Sequence, residues 1–192
     1  MRELTYYVAA SLDGRIAAPD GAFGAFLTTG DHMDMIEREW RDTLPAPVLE
    51  DLGLSADGSR FDTVLMGWRT YEAGLPYGVV DPYPHLDQVV FSRSHGQDEV
   101  PGSVRIVSDD PVAEVQRLRK EDGAGVWLCG GGLLAAALVD EIDRMVIKVN
   151  PVVLGDGVPL FAGGYDPQAF ELVESTPYAS GVVVNAYARR PR

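Results

Sequence analysis

Residues 126–134 constrain the fold of this chain most, because three consecutive glycines there join an apolar run to a helical pattern. The run Val126-Trp127-Leu128-Cys129 favours a buried β-strand, and a Leu- and Ala-rich helix follows Gly130, Gly131 and Gly132. A strand that turns through bare backbone into a helix N-terminus gathers amide N–H groups at the positive end of the helix dipole. Such a junction indicates either a phosphate site or only a tight turn, and both alternatives stay open at this point.

Composition limits the classes of partner. The 192 residues carry a formal net charge of −13, and 46% of them are hydrophobic. This length fits one domain, residues 1–192, with an apolar core of its own. An acidic surface argues against nucleic acid and against anionic membranes, since both are bound through Lys and Arg. A small anionic ligand remains possible, because a few amides and one or two Arg can hold it.

The number of cysteines and the length of the apolar segments indicate the cellular compartment of the protein. Cys129 is the only cysteine, which excludes an internal disulfide and a cysteine-based zinc site, and no metal site is expected. We interpret it as a small buried residue. No apolar run reaches the length of a membrane-spanning helix, and no signal-peptide pattern is present. The cytoplasm is the expected location.

The order of strand and helix patterns predicts the fold class. Strands are expected at 4–10, 61–66, 86–91, 104–107 and 126–129, with helices at 31–40, 111–120 and 133–140 between them. Asp110 and Pro111 form the start signal of the second helix. A strand at 143–149 precedes an irregular loop, and 170–175 and 181–189 form a closing antiparallel pair. The chain is therefore predicted to be an α/β protein with a mostly parallel sheet and an antiparallel edge hairpin. Residues 41–60 show no periodicity and are expected to be a surface excursion.

Two further strand ends carry groups suited to phosphate. The strand at 61–66 ends in Gly67, Trp68, Arg69 and Thr70, where the cation and hydroxyl could join backbone amides around a diphosphate. The alternative is that Thr70 caps the helix and Arg69 is solvated. The strand at 86–91 ends in Ser92-Arg93, a pair that could take a 2′-phosphate and so select NADP over NAD. Its alternative is a solvated turn.

Two carboxylates stand at the start of the first helix. Asp31 can act as its N-cap, with Asp34 at the third helical position. The other possibility is that one of them faces a cleft and serves as an acid. The residues alone do not decide between capping and chemistry.

Taken together, these motifs resemble the dihydrofolate reductase-like superfamily. Met-Gly-Trp-Arg-Thr-Tyr-Glu at 66–72 resembles the element that holds the cofactor diphosphate in that family, and Phe-Ser-Arg at 91–93 resembles the strand end that reads the 2′-phosphate. Cys-Gly-Gly-Gly at 129–132 resembles its glycine turn. Within the superfamily the chain is more similar to the reductase domain of riboflavin biosynthesis, the RibD C-terminal type, through Ser-Leu-Asp-Gly-Arg-Ile-Ala at 11–17 and Pro-Val-Val-Leu-Gly-Asp-Gly at 151–157.

This resemblance implies a dihydrofolate reductase-like three-layer α/β fold and NADPH as cofactor. It implies an oxidoreductase that transfers hydride to a small heteroaromatic compound, pteridine- or pyrimidine-like, or to a carbonyl substrate. A homodimer is expected, as in the resembled reductases. The implied cofactor-binding residues are Ala10, Ile16, Gly67, Trp68, Arg69, Thr70, Ser92, Arg93, Ser108, Gly130, Gly131, Gly132, Leu133 and Leu134.

The chain also departs from the riboflavin pattern. Phe23-Gly24-Ala25-Phe26-Leu27 stands where a Ser-x-Trp-Ile segment is expected, and Cys129 stands where the family has Glu before Gly-Gly. These positions handle the substrate, so its identity stays open. Asp31 is the first candidate for a catalytic carboxylate and Asp34 the second. A non-catalytic nucleotide-binding or assembly protein on the same fold is the alternative function.

Overall fold

A mixed eight-stranded sheet forms the centre of the protein. The computed structural model describes residues 1–190. The strands run in the order β5-β4-β3-β6-β1-β7-β10-β9, and the pairs from β5 to β7 are parallel, whereas β7–β10 and β10–β9 are antiparallel. The strands of this sheet are β1 (Leu4–Ala10), β3 (Phe61–Gly67), β4 (Asp87–Phe91), β5 (Val104–Val107), β6 (Gly125–Gly130), β7 (Arg144–Val149), β9 (Phe170–Pro177) and β10 (Val183–Arg189).

Helices cover both faces of this sheet, because successive side chains of the central strands point to opposite sides. Tyr6 of β1 lies on the face that packs against Leu118 and Leu134, whereas Tyr7 lies on the face that packs against Met35. The helices are α1 (Asp31–Glu39), α2 (Ala46–Asp51), α3 (Trp68–Glu72), α4 (Pro111–Leu118) and α5 (Gly132–Ala137). Within residues 1–190, each helix is too short to cross a membrane.

The predicted arrangement of a mostly parallel sheet with an antiparallel C-terminal edge is confirmed. Strand bounds differ from the predicted ones by two residues or fewer, and the side chain of Asp110 does cap α4, accepting a hydrogen bond from the Val112 amide at 2.9 Å. A second, two-stranded antiparallel sheet was not predicted. It pairs β2 (Arg15–Ala17) with β8 (Val158–Pro159). These strands are too short and too interrupted by Pro and Gly to give a periodic pattern.

The two motifs that carry the RibD resemblance are joined by Asp13. Its carboxylate accepts hydrogen bonds from the Ser11 hydroxyl at 2.6 Å and from the amides of Leu154 and Gly155 at 3.0 and 2.8 Å. The Ser11 hydroxyl and these amides lower the pKa of Asp13 to about 2. Asp13 therefore holds the loop after β7 against the turn after β1, at the carboxyl edge of the parallel strands.

Residues 41–60 are more than the surface excursion that we predicted. They contain α2 and a 3-10 turn at Arg41–Thr43, and Leu44 and Leu49 are buried in the core. Buried Asp42 accepts hydrogen bonds from the amides of Gly58, Arg60 and Phe61 at 3.1, 2.9 and 3.1 Å. The segment is short and rich in Pro and Gly, so its order comes from these long-range contacts and not from helical periodicity.

Candidate functional site

The carboxyl ends of β3 and β6 meet at the glycines that the sequence singles out. A methyl group added at Gly67 would lie 3.7 Å from the Gly131 amide nitrogen, and one added at Gly131 would lie 3.6 Å from Thr70 Oγ1. A methyl at Gly130 would approach Ile16 Cδ1 at 3.9 Å. The structure thus brings five of the predicted cofactor residues together, and the bare glycine surface leaves room for a ligand between them.

The three consecutive glycines have different surroundings. Gly130 has a positive φ of 150°, and the Gly130–Gly131 peptide bond is cis. Gly132 is buried, and a methyl group there would lie 2.2 Å from the Pro159 carbonyl oxygen. Gly132 also accepts a hydrogen bond from the Ala162 amide at 2.9 Å. Gly130 and Gly131 therefore face Thr70, whereas the close approach of β8 requires glycine at 132.

The two leucines that start α5 face different environments. The Leu133 side chain is 75% exposed, whereas that of Leu134 is buried in the core beside α4. Leu133 can therefore offer its side chain to a ligand at this edge. Leu134 can offer only its backbone, because its side chain already packs beneath the sheet.

Trp68 and Ser92 are linked through His95, a residue that our sequence interpretation missed. The His95 ring stacks on the Trp68 indole with centroids 3.6 Å apart and planes 3° from parallel. Its Nδ1 lies 3.0 Å from Ser92 Oγ, which also accepts hydrogen bonds from the amides of Ser94 and His95. The Ser92 hydroxyl therefore already has hydrogen-bond partners within the turn after β4. The Ser-x-x-His spacing after a strand could have indicated this contact from the sequence, but such turns are common.

The cations at this edge are exposed. Arg69 at the start of α3 and Arg93 after β4 are exposed, and neither forms an ion pair within the described residues. The side chain of Thr70 does not cap α3, whose N-cap is Gly67. Ser108 follows β5 and is also exposed at the same edge. Two guanidinium groups without carboxylate partners, on a chain of net charge −13, suit a phosphate-bearing ligand.

Ala10 closes the central strand β1 at this edge. It is buried, and its carbonyl accepts a hydrogen bond from the Asn150 amide at 2.8 Å. The Asn150 side chain in turn accepts a hydrogen bond from the Leu27 amide at 3.0 Å. Asn150 therefore ties the loop before α1 to the ends of β1 and β7, which places that loop beside the glycine surface.

Of the two alternatives for Asp31, capping of α1 is wrong, because the N-cap is Gly30 and no side chain caps the helix. The Asp31 carboxylate instead accepts hydrogen bonds from the amides of Ala179 and Ser180 at 2.7 and 3.0 Å, in the turn between β9 and β10. These amides lower the pKa of Asp31, so the group is held as a carboxylate. This geometry favours a structural role. Asp34 is exposed, and its backbone carbonyl accepts from Arg38 Nε at 3.1 Å.

An aromatic cluster lies in the core on the α1 face of the sheet. Tyr7 stacks on Trp40 with ring centroids 4.5 Å apart and meets Trp127 edge-on at 6.4 Å. Lys148 Nζ lies 4.0 Å from the centroid of the Tyr7 ring. Burial lowers the pKa of Lys148 to about 8 and raises the pKa of Cys129 to about 12. Our sequence interpretation missed Lys148, which shares one face of β7 with Arg144 and Val146.

A cavity of about 380 Å³ opens at the opposite edge of the sheet. Arg2, Arg60 and Arg144 line it, close to the amino ends of β1, β6 and β7. Ligands of open α/β sheets bind outside the carboxyl ends of the strands. We therefore place the candidate site at the glycine edge. Within residues 1–190, no group of three or more His, Cys, Asp or Glu side chains is arranged to hold a metal ion.

Comparisons with known proteins agree with this arrangement. The family model of the RibD C-terminal domain matches residues 2–184. The chain is 35% identical over 164 residues to the uncharacterized protein YwjB of Bacillus subtilis (strain 168), which covers 83% of each protein. A protein of Shewanella sp. PV-4 assigned to riboflavin biosynthesis superposes with a TM-score of 0.71 at 26% identity, over 100% of both chains.

Dihydrofolate reductase from Enterococcus faecalis, solved with NADP(H), shares the fold. Its TM-score is 0.65 at 16% identity, and the match covers 98% of this chain and 97% of that one. The dihydrofolate reductase-like α/β fold predicted from the sequence is thereby confirmed. The match of nearly the whole chain to one family model shows that this protein belongs to the RibD C-terminal domain family.

Proposed function

We propose that this protein is an NADPH-dependent reductase that transfers hydride to a small heteroaromatic or carbonyl compound. Membership of the RibD C-terminal family supports a reductase-type role. The observation that carries the proposal is the convergence of Gly67, Thr70, Gly130 and Gly131 at one sheet edge, which leaves a bare backbone surface there. A dinucleotide needs such bare backbone at its pyrophosphate and a flat wall for its rings.

The residues present fit a nicotinamide dinucleotide. Gly67, Gly130 and Gly131 lack the side chains that would fill the edge, and Thr70 supplies a hydroxyl beside them. Arg69 and Arg93 are exposed cations suited to its phosphates. The reduced cofactor would supply hydride when bound, and the protein's part is to hold it and the substrate in place.

The substrate would lie between β1 and α1. Tyr7 and Trp127 form a buried aromatic base beneath this region, and Lys148 Nζ lies over the Tyr7 ring. The loop before α1 is held next to it through Asn150 and exposes Phe23, a side chain that can cover a bound ring. Excluding water in this way strengthens every electrostatic contact to the substrate.

A titration of the protein with NADPH, followed by nicotinamide fluorescence, tests the cofactor. Arg93→Ala should weaken NADPH binding by about ten- to a hundredfold, the loss expected for a charge-assisted phosphate contact, and should leave NADH binding nearly unchanged. Lys120→Ala is the matched control, because it removes one exposed positive charge away from this edge. Absence of NADPH binding at millimolar concentration would overturn the proposal, and equal affinity for NADH would remove the role of Ser92 and Arg93.

The alternative function is a non-catalytic nucleotide-binding or assembly protein. The hydrogen bonds between the Asp31 carboxylate and the β9–β10 turn favour this alternative, because the predicted catalytic acid already has structural partners. Oxidation of NADPH with flavin-precursor, folate-like or quinone compounds would exclude this alternative. Tight NADPH binding without turnover on any of these classes would favour it over the reductase.

We propose that the protein forms a homodimer through its β9 edge. β9 ends the sheet, and its Leu172 and Val173 side chains are 54% and 57% exposed, at the point where the β9–β10 register shifts. An uncovered apolar edge strand is a surface that a second copy can pair with. Sedimentation velocity should show a dimer, and Val173→Lys should shift it to monomer. A wild-type monomer at high concentration would contradict this proposal.

A further inference from the structure

Lysine is rare in this protein, and one of its lysines is half-buried. The chain has two, Lys120 and Lys148, against fourteen arginines. Lys120 is exposed just after α4, as lysines usually are. Lys148 lies in β7 near its carboxyl end, where it pairs with Ala9 of β1 and Val184 of β10. Its side chain therefore points into the α1 face beside the glycine edge.

The Lys148 ammonium has few partners inside the protein. Its Nζ lies over the Tyr7 ring at 4.0 Å from the centroid, and no carboxylate within the described residues forms an ion pair with it. An ammonium has three N–H donors, and a cation–π contact is attraction without an acceptor atom. A structural lysine at this depth would normally be paired. An acceptor supplied by a ligand would satisfy these donors.

The groups around Lys148 leave its charge uncompensated. The Cys129 thiol faces it from β6 and is neutral, since burial raises its pKa to about 12. Tyr83, whose pKa burial also raises, lies against Cys129, and Tyr178 and Arg60 lie near Tyr7. None of these groups is an anion at neutral pH. Burial lowers the pKa of Lys148 to about 8, so it is mostly protonated at neutral pH but can release its proton.

We propose that Lys148 contacts the substrate directly, and that the substrate is a planar conjugated carbonyl compound whose oxygen accepts a hydrogen bond from Lys148 Nζ. This inference rests on the proposed reductase function and narrows its substrate class. An ammonium donates hydrogen bonds and accepts none, so a ring edge that offers only N–H donors would not be satisfied by Lys148. Asp31, the nearest predicted carboxylate candidate, is engaged by the β9–β10 turn.

The reduction balances with Lys148 as the proton source. The reductant is a reduced nicotinamide. As hydride adds to the carbon of the conjugated carbonyl system, the π electron pair moves onto the carbonyl oxygen. Lys148 Nζ donates a proton to that oxygen, which forms an O–H bond, and the neutral amine then takes a proton from water. The substrate gains one hydride and one proton, and the nicotinamide is oxidised.

The presence of two lysines makes a direct test possible. Reductive methylation with ¹³C-formaldehyde labels the two lysine amines and the Met1 α-amine and keeps their charge, and the Lys120 and Lys148 signals can be assigned with Lys120→Met and Lys148→Met variants. The probe is 2-hydroxy-1,4-naphthoquinone, a planar conjugated carbonyl compound that is an anion at neutral pH. It is titrated into the protein without cofactor, and quenching of tryptophan fluorescence by the probe gives its affinity. NADPH binding is measured separately on each variant.

We expect the probe to move the Lys148 signal and raise its titration midpoint, and to leave Lys120 unmoved. Lys148→Met should weaken probe binding about tenfold or more. The probe affinity of Lys148→Arg should stay within a few-fold of the wild-type affinity, and that of Lys120→Met should equal the wild-type affinity. NADPH affinity should be the same in all four proteins. With NADPH and 1,4-naphthoquinone, the wild-type rate should fall above a pH of about 8. Lys148→Arg should be slower, because its guanidinium cannot release a proton, and should lack that fall in rate.

Equal probe affinity in the wild type and Lys148→Met would overturn this inference, as would a Lys148 signal that does not move at saturation or a probe that does not bind at millimolar concentration. A failure of NADPH to bind, with the Lys148 response intact, would instead reject the cofactor in the proposed function and leave the Lys148 contact standing. The two proposals are therefore separable in one set of samples.

Discussion

Thr70 lies against the Gly130–Gly131 peptide, so that methyl groups added at the two glycines would approach its Oγ1 to 3.5 and 3.6 Å. The contact joins the start of α3 to the end of β6. It makes one continuous surface from the ends of β3 and β6, at Gly67 and Gly130, which are 63 residues apart in sequence. That surface is where we place the cofactor.

The neighbouring glycines Gly131 and Gly132 should respond differently to alanine. Gly131 has an ordinary φ of −97°, and its added methyl would meet Thr70 at normal contact distance, so Gly131→Ala should fold. The methyl would occupy the ligand surface, and NADPH should bind about tenfold or more weakly, a loss of about 1.4 kcal/mol. Binding by fluorescence and stability by urea denaturation are measured on the same samples.

Gly132→Ala provides the contrast, because its methyl would lie 2.2 Å from the Pro159 carbonyl oxygen. Backbone must move to admit it, and overpacking of this kind costs about 1–3 kcal/mol. We expect a lower free energy of unfolding for Gly132→Ala and a near wild-type value for Gly131→Ala. The reverse order of stabilities would show that the division of roles between these glycines is wrong.

Asp31 should stabilise the β9–β10 turn in a pH-dependent way. The amides of Ala179 and Ser180 lower the pKa of Asp31 in the folded state. The contribution of Asp31 to the free energy of unfolding is therefore fully present above the ordinary carboxylate pKa of about 4, and it is lost as pH falls through the lowered pKa of the folded state. Asp31→Asn should reduce Tm at neutral pH, and the difference from the wild type should shrink in acid. Asp34→Asn, an equally exposed change on the same helix, should leave Tm unchanged. An unaffected Tm in Asp31→Asn would argue against the structural role.

Lys148→Met should stabilise the fold at neutral pH. Burial lowers the pKa of Lys148 from 10.5 to about 8, so folding is opposed by the charged form, by up to about 3 kcal/mol. Between the folded and unfolded pKa values of Lys148, the unfolded state binds more protons than the folded state does. The destabilisation by the charged lysine therefore decreases as pH rises through this range. The stability advantage of Lys148→Met over the wild type should therefore shrink from neutral pH to about pH 10.5. Chemical denaturation across this range measures it, with Lys120→Met as control. A destabilised Lys148→Met at neutral pH would mean that the ammonium is already compensated within the fold.

Asp42 should be the residue that orders the segment 41–60. Its buried carboxylate accepts three backbone amides, and their donors would stay buried without it. Asp42→Ala should lower the free energy of unfolding by about 3–5 kcal/mol, the usual cost of breaking a buried charged network. Asp51→Ala, an exposed carboxylate in α2, serves as the comparison. If both variants unfold at the wild-type denaturant concentration, Asp42 is not the anchor of this segment.

The predicted NADPH edge followed from local signals, but the residues around it did not. Strand ends marked by Gly67 and Gly130 can be predicted because parallel strands bring their carboxyl ends to one edge of a sheet. The His95–Trp68 stack joins residues 27 positions apart, and neither residue forms a pattern of its own. The separate role of Gly132 depends on the approach of Pro159, which no local propensity reports.

The sequence by itself determined the order of strands and helices, the antiparallel edge and the set of glycines, because hydrophobic period and turn chemistry act over a few residues. Only the tertiary structure decided which side chains share a cleft. Asp31 faces a turn 148 residues away, and Lys148 faces the ring of Tyr7 on a neighbouring strand. Desolvation and charge pairing depend on such distant neighbours, so the pKa values that assign these two residues their roles arise only when the chain is folded.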